Sequence, residues 1–105
     1  MLEINKIYNM DCIEGMKQIK DGSIDLVITS PPYNVGIKYD LWDDSKQSSD
    51  YFDFANKWLT EIYRILKPTG RIALNVLYEV NFHERGGRLF FVSECWKIMQ
   101  QIGYN

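Results

Sequence analysis

Residues 25–33 read Asp25-Leu26-Val27-Ile28-Thr29-Ser30-Pro31-Pro32-Tyr33, and this stretch decides the fold. Its first half is rich in apolar and β-branched side chains, which is typical of a strand buried on both faces of a parallel sheet. Two consecutive prolines cannot continue a hydrogen-bonded ladder, because proline lacks a backbone N–H. The sequence therefore predicts a strand over residues 25–29 and a loop from Ser30 to Tyr33 at its carboxyl end.

Helical and strand patterns alternate on both sides of this stretch. Residues 2–8 alternate apolar and polar side chains as a strand does, and a helix capped by Asp11 is predicted to follow, ending by residues 20–23. A long helix is predicted from residue 49 or 50 to Leu66, ended by Pro68-Thr69-Gly70.

A further strand is predicted over residues 71–76, and a final helix over residues 91–102. This last helix is expected to turn five side chains inward: Val92, Cys95, Trp96, Met99 and Ile102. The predicted order is β-α-β-α-β-α, which indicates an α/β protein with parallel strands and a ligand site at their carboxyl ends.

Length, composition and charge narrow the class of protein. The chain has 105 residues, 46% of them hydrophobic, and is expected to fold as one small globular domain. Its net charge is −2, so the chain has no excess of positive charge with which to bind the phosphates of nucleic acid. Cys12 and Cys95 show no metal-binding spacing, so no metal site is predicted.

The N-terminus lacks the apolar region of a signal peptide and no segment has the length of a membrane span, which predicts a cytoplasmic protein.

The loop from Ser30 to Tyr33 carries groups that suit one kind of substrate. Its prolines hold the backbone stiff, which would fix the Ser30 hydroxyl and the Pro31 carbonyl as a pair of hydrogen-bond acceptors. Tyr33 offers an aromatic face for stacking. This combination suits a planar base with an exocyclic amine. The two acceptors would hydrogen-bond the N–H groups of the amine and leave the nitrogen lone pair free to attack. Asp11, after the first predicted strand, is expected to face the same side of the sheet.

Three segments resemble one enzyme family, and the first is residues 9–12, Asn9-Met10-Asp11-Cys12, where the family carries an acidic residue after a strand. Residues 29–34, Thr29-Ser30-Pro31-Pro32-Tyr33-Asn34, resemble the catalytic motif of the N4-cytosine and N6-adenine DNA methyltransferases, in which Asp, Asn or Ser precedes Pro-Pro and an aromatic residue. Residues 66–70, Leu66-Lys67-Pro68-Thr69-Gly70, resemble that family's helix end before a buried strand.

The resemblance implies a Rossmann-like three-layer methyltransferase fold and S-adenosylmethionine as the cofactor. It implies that the target base is flipped out of double-stranded DNA and attacks the cofactor's methyl group directly. The catalytic residues would be Ser30, Pro31, Pro32 and Tyr33, and Asp11 would contact the cofactor's adenine.

The sequence departs from the family pattern in one respect, because it has no glycine-rich loop to cradle the methionine end of the cofactor. Only 29 residues precede Ser30, too few for that loop and its neighbouring strands, so the loop is expected to follow, as in the permuted beta-type enzymes. Residues 1–105 would then be the N-terminal catalytic half of the domain, inactive alone, with DNA recognition in the missing half. A sheet with strands missing predicts self-association or a complementary chain.

Other functions remain open at this stage. The chain could be a non-catalytic remnant or subunit that binds DNA or a partner methylase, and cofactor binding would discriminate this case. It could be an RNA or protein-glutamine methyltransferase, although Ser30 and the short leader disfavour both. The serine leans slightly towards cytosine rather than adenine as the target. A capping role alone would also explain Asp11.

Overall fold

The computed structural model describes residues 2–31, 48–76, 80–82, 87–89 and 91–105. Its elements in chain order are α1 (Cys12–Met16), β1 (Ile24–Thr29), α2 (Ser48–Ile65), β2 (Leu66–Leu74), β3 (Val80–Phe82), β4 (Gly87–Leu89) and α3 (Phe91–Ile102). β1 and β2 form a parallel pair, and β3 and β4 form a separate antiparallel pair. A parallel pair connected through a helix confirms the predicted α/β class. Among the described residues, no helix combines the length and apolar content needed to cross a membrane.

The parallel pair is in register towards its carboxyl end. Leu26 to Thr29 pair one for one with Arg71 to Leu74, and the last of these pairs is closed by the Asn75 backbone N–H, which donates to the Thr29 carbonyl at 2.9 Å. At the other end Ile24 pairs with Leu66, so residues 67–70 bulge out of the ladder. Pro68 lies in this bulge, where its missing N–H costs no ladder bond. The predicted strand start at residue 71 is therefore corrected to Leu66.

The centre of the core is α2. Four of its side chains recur at three- and four-residue spacing and are at most 5% exposed: Ala55, Trp58, Leu59 and Ile62. Apolar side chains from α1, the parallel pair and α3 pack against them, among them Ile13, Met16, Val27, Ile72, Leu74, Ile98, Met99 and Ile102. The core thus joins all three helices to one face of the parallel pair.

Two polar side chains tie neighbouring segments to α2. The Arg64 guanidinium donates to the carbonyl oxygens of Met16 at 2.7 Å and Ile19 at 2.9 Å, which lie at and just beyond the end of α1. Carbonyl oxygens at a helix terminus lack the regular N–H donors of the next turn, and these two bonds fasten such carbonyls to α2. The Tyr104 hydroxyl donates to the Leu59 carbonyl at 2.6 Å, and burial raises the pKa of this tyrosine, so the hydroxyl keeps its proton. The end of the chain is thereby held against α2.

The parallel pair has one covered face and one open face. Val27 and Ile72 pack against the helices, whereas Leu26 and Ile28 point the other way and are 53% and 73% exposed. Because side chains alternate between the faces of a strand, four exposed residues share that second face, here called the open face: Leu26, Ile28, Arg71 and Ala73. A three-layer fold carries helices on both faces, and the described residues supply them on one.

The predicted strand over residues 2–8 is wrong. The segment belongs to no strand, Ile4 is 88% exposed, and Ile7 is fully exposed. An isolated strand leaves its backbone N–H and C=O groups without partners, and in the described part of the chain no strand lies beside this segment. An alternating pattern is therefore not sufficient to form a strand without a neighbour.

Both short helices differ in detail from the predictions. α1 ends at Met16, earlier than expected, and two turn hydrogen bonds continue it to Ile19. In α3, Cys95 is buried as predicted, but Val92 and Trp96 are 40% and 59% exposed. The packed stripe of α3 runs through Cys95, Ile98, Met99 and Ile102. Trp96 is rotated by roughly 100° from Cys95 about the helix axis, which takes it off this stripe.

The antiparallel pair consists of two strands of three residues each. Gly87 begins β4 and pairs with Phe82 at the end of β3. The intervening residues 83–86 lie outside the described residues.

Candidate active site

Ser30 and Asn75 lie side by side at the carboxyl end of the parallel pair. Ser30 directly follows β1 and Asn75 directly follows β2, and because Thr29 pairs with Leu74 the two residues occupy the next step of the same register. The Asn75 Nδ2 donates a hydrogen bond to the Ser30 Oγ over 3.2 Å. Both residues are exposed to solvent. The predicted end of the strand before Ser30 is confirmed.

Pro31 is buried and lies beside a pocket of about 530 Å³. Ser30 and Pro31 line this pocket together with β1, residues around α1 and the apolar face of α2. Cys12, Phe54 and Trp58 are among the side chains that complete its wall. This volume falls in the range of small-molecule sites, and the apolar wall suits a flat ring rather than a charged group.

Asp11 is the N-cap of α1. Its carboxylate accepts a hydrogen bond from the Glu14 backbone N–H at 3.0 Å, so the predicted capping role is confirmed. The Glu14 carboxylate accepts a hydrogen bond from Lys17 Nζ. Asp11 lines a separate hollow between α1 and α2, whereas its neighbour Cys12 lines the pocket that contains Ser30. The structure therefore brings Asp11 to within one residue of the Ser30 pocket but not into its wall.

Pro32 and Tyr33, the other two predicted catalytic residues, lie outside the described residues. Their roles remain predictions that follow from the sequence. The described part of the motif places the Ser30 hydroxyl at the strand end, and Ser30 is followed by the buried Pro31.

Sequence reasoning missed Asn75. Its contact with Ser30 depends on the register between two strands that are far apart in sequence, and nothing in the local pattern around residue 75 specifies that register. A signal was nevertheless present. The two predicted strands are parallel, so a polar residue near the carboxyl end of the second strand, such as Asn75, is a candidate neighbour of Ser30 at one sheet edge.

The two cysteines are poor nucleophiles. Burial, and then the Asp11 carboxylate, raise the pKa of the Cys12 thiol. Burial, with a smaller effect of Glu94, raises the pKa of Cys95 to about 12. Both groups are therefore protonated near neutral pH, which does not suit attack on a base by a thiolate. Within the described ranges, no three His, Cys, Asp or Glu side chains come together in a way that could hold a metal ion.

A family model described as DNA methylase, for the N6 and N4 methyltransferases, matches residues 24–104. This span contains the whole parallel pair with Ser30 and Asn75 at its carboxyl end. The chain belongs to the N6/N4 DNA methylase family. The resemblance of residues 29–34 and 66–70 to this family is thereby confirmed.

Two relatives carry type II methyltransferase names. M.HpaI from Haemophilus parainfluenzae is 45% identical over 91 residues, covering 87% of this chain and 26% of that protein. M.MjaVI from Methanocaldococcus jannaschii is 36% identical over 110 residues, covering 96% of this chain and 54% of that protein. The chain thus spans between about a quarter and about half of the length of these methylases.

A solved structure agrees with the fold. The crystal structure of a candidate DNA modification methylase from Thermus thermophilus aligns with a TM-score of 0.65 at 23% identity. The alignment covers 90% of this chain and 37% of that chain. The predicted partial α/β methyltransferase fold is confirmed.

Proposed function

We propose that the whole protein transfers a methyl group from S-adenosylmethionine to the exocyclic amine of a flipped DNA base, at N4 of cytosine or N6 of adenine. One observation carries this proposal. The Ser30 hydroxyl stands at the carboxyl end of β1, beside a pocket and next to Asn75, in a chain of the DNA methylase family. Ligand sites of open parallel sheets lie at this end of the strands.

At the carboxyl end of β1, the proposed role of the protein is to hold the exocyclic amine while its nitrogen attacks the methyl carbon. An exocyclic amine becomes tetrahedral and positively charged as its nitrogen bonds to the methyl carbon and the sulfur–carbon bond breaks. Acceptors at the Ser30 Oγ and the Pro31 carbonyl would then bind the N–H protons more strongly than in the ground state. One amine proton finally leaves to water. No covalent intermediate on the protein is required, which agrees with the two protonated thiols.

The cofactor S-adenosylmethionine would supply an electrophilic methyl group. The residues present fit part of it: the pocket beside Ser30 has room for a planar ring, and Asp11, adjacent to the pocket residue Cys12, is the proposed contact to the adenine. The 105 residues contain no glycine-rich loop of the kind that cradles the methionine end. We therefore assign that end to residues outside these 105, which would make the chain the N-terminal catalytic half of a permuted domain.

Pro32 and Tyr33 are proposed to complete the base site. Pro32 would keep the backbone after Pro31 rigid, and the ring of Tyr33 would stack on the flipped base. Their place in the sequence, directly after the described Ser30 and Pro31, supports this assignment.

The proposed substrate is double-stranded DNA in a restriction-modification setting, in the cytoplasm. The type II names of the relatives support the setting. A net charge of −2 gives these residues little attraction for phosphates, so recognition of DNA is assigned to the region outside them. The family match does not favour an RNA or protein-glutamine substrate.

We also propose that the parallel pair is completed by a further chain segment or a second copy. The support is the open face, on which Leu26 and Ile28 are more than half exposed. Light scattering on the 105-residue chain tests this. Dimers or larger species are expected, and a monodisperse monomer that melts cooperatively would contradict the proposal.

The function is tested by methyl transfer from radiolabelled S-adenosylmethionine to duplex DNA by the whole protein, followed by mass spectrometry of the nucleosides. N4-methylcytosine or N6-methyladenine is the expected product. If the label enters only RNA or protein, the substrate class is wrong. If no label is transferred and no cofactor binds, the chain is a non-catalytic remnant.

A further inference from the structure

We propose that Asn75 is a positioning residue that fixes the orientation of the Ser30 hydroxyl for methyl transfer. The inference rests on the proposed function, because it concerns how the acceptor at Ser30 is held. Three observations on described residues carry it: the shared register of the two strand ends, the backbone bond that locks that register, and the side-chain bond between the two residues.

The backbone fixes where the two side chains can be. Thr29 pairs with Leu74, and the Asn75 N–H donates to the Thr29 carbonyl at 2.9 Å, so the ladder persists up to the residues in question. Residues at the same step of a parallel pair point to the same face and lie about 4.8 Å apart between strands. The Asn75 side chain therefore starts beside that of Ser30, without help from the rest of the loop.

The side-chain bond selects one state of the hydroxyl. A serine side chain has three rotamers, and its oxygen has two acceptor lone pairs and one donated hydrogen. The Asn75 Nδ2 donates to one lone pair of the Ser30 Oγ, and the two atoms are 3.2 Å apart. This contact favours one rotamer and leaves the second lone pair available to an amine N–H. A hydroxyl already held in place loses less entropy when it acts as an acceptor, and this lowers the barrier to the extent that its bond to the amine strengthens in the transition state.

The chemistry of the side chain suits this task. Asn is short and carries an N–H donor, so it reaches across one strand spacing. Asp in its place would offer no donor and would put a negative charge beside the oxygen. Ala would leave Ser30 free to rotate. In water an exposed bond of this kind is weak, and it strengthens when a bound base excludes solvent from the edge.

The first test uses the 105-residue chain and does not require activity. In a nitrogen–proton spectrum, the side-chain amide signals of Asn75 are expected to shift on Ser30→Ala, because their acceptor is lost. Ser23→Ala is the matched control, since the Ser23 Oγ donates to the Lys20 carbonyl at 2.6 Å, far in sequence from Asn75. Asn75 signals that respond equally to both substitutions, or to neither, would overturn the proposed contact.

The second test is a double-mutant cycle in the whole protein, read as single-turnover methyl transfer. Asn75→Ala is expected to lower the rate by roughly tenfold with the affinity for S-adenosylmethionine unchanged, and Asn75→Asp by at least as much. In the Ser30→Ala background, Asn75→Ala is expected to have little further effect. An equal loss in both backgrounds, or none in either, would overturn the positioning role while leaving the proposed function intact. A wild-type protein that transfers no methyl group would overturn both.

Discussion

The two faces of the parallel pair differ in what they do for the molecule. The covered face contributes Val27 and Ile72 to a core whose centre, Leu59, has no exposed surface. On the open face, Leu26 and Ile28 are more than half exposed to solvent. The Ser30–Asn75 contact lies at the carboxyl end of this face. Stability is therefore concentrated on one side of the sheet, whereas the proposed chemistry and the proposed association depend on the edge and the other side.

The difference between the two faces is tested by replacing one leucine on each of them with alanine. Leu59→Ala is expected to lower the free energy of unfolding by about 2–5 kcal/mol, because it leaves a cavity in a packed cluster. Leu26→Ala on the open face is the matched control, and its cost should stay below about 1 kcal/mol at a protein concentration too low for association. Urea denaturation of the 105-residue chain over a range of concentrations measures both. A cost at Leu26 that rises with concentration would show a second copy on the open face, and equal losses at the lowest concentration would contradict the contrast between the two faces.

A smaller effect is expected at the bulge that sets the register for both faces. A Cβ on Gly70 would lie 3.0 Å from the Lys67 carbonyl oxygen and 3.1 Å from that of Ile24, a tight contact that would require the backbone to give by a few tenths of an ångström. Gly70→Ala should therefore cost about 1–3 kcal/mol and disturb the strand pairing. Thr69→Ala, an exposed neighbour in the same bulge, should be nearly neutral by the same denaturation. A harmless Gly70→Ala would show that the bulge is not fixed as described.

The smallest of these effects concerns α1 on the covered side. Asp11→Ala removes the acceptor for the Glu14 N–H and should cost about 1 kcal/mol, whereas Asp11→Asn should keep the cap. Thermal melting measures this part. Cofactor affinity, measured by calorimetry on the whole protein, separates the two roles of Asp11. If Asp11→Ala binds S-adenosylmethionine as well as wild type, Asp11 is a cap alone.

Local patterns in the sequence were enough for the elements nearest the site. The apolar run before the two prolines predicts β1 and its end, and the spacing of Ala55, Leu59 and Ile62 predicts α2. Both depend on residues that are neighbours in sequence. Because the motif of residues 30–33 begins where β1 ends, half of the candidate site followed from the same pattern.

What the sequence could not predict depends on distant partners. Residues 2–8 have the alternation of a strand but no neighbouring strand in the described residues, and α3 packs on a stripe that leaves Trp96 outside. Asn75 reaches Ser30 only through the register of β1 and β2, which includes a bulge at Pro68. Pairing and packing decide these features, and a local pattern does not encode them.

The central claim is that the Ser30 hydroxyl holds the reacting amine, and Ser30→Ala in the whole protein tests it most directly. Single-turnover methyl transfer to duplex DNA and cofactor affinity are measured on the same preparations. The rate is expected to fall by ~10²-fold or more while the affinity for S-adenosylmethionine stays unchanged, because the lost interaction strengthens only in the transition state. An unchanged rate of methyl transfer in Ser30→Ala would contradict the claim.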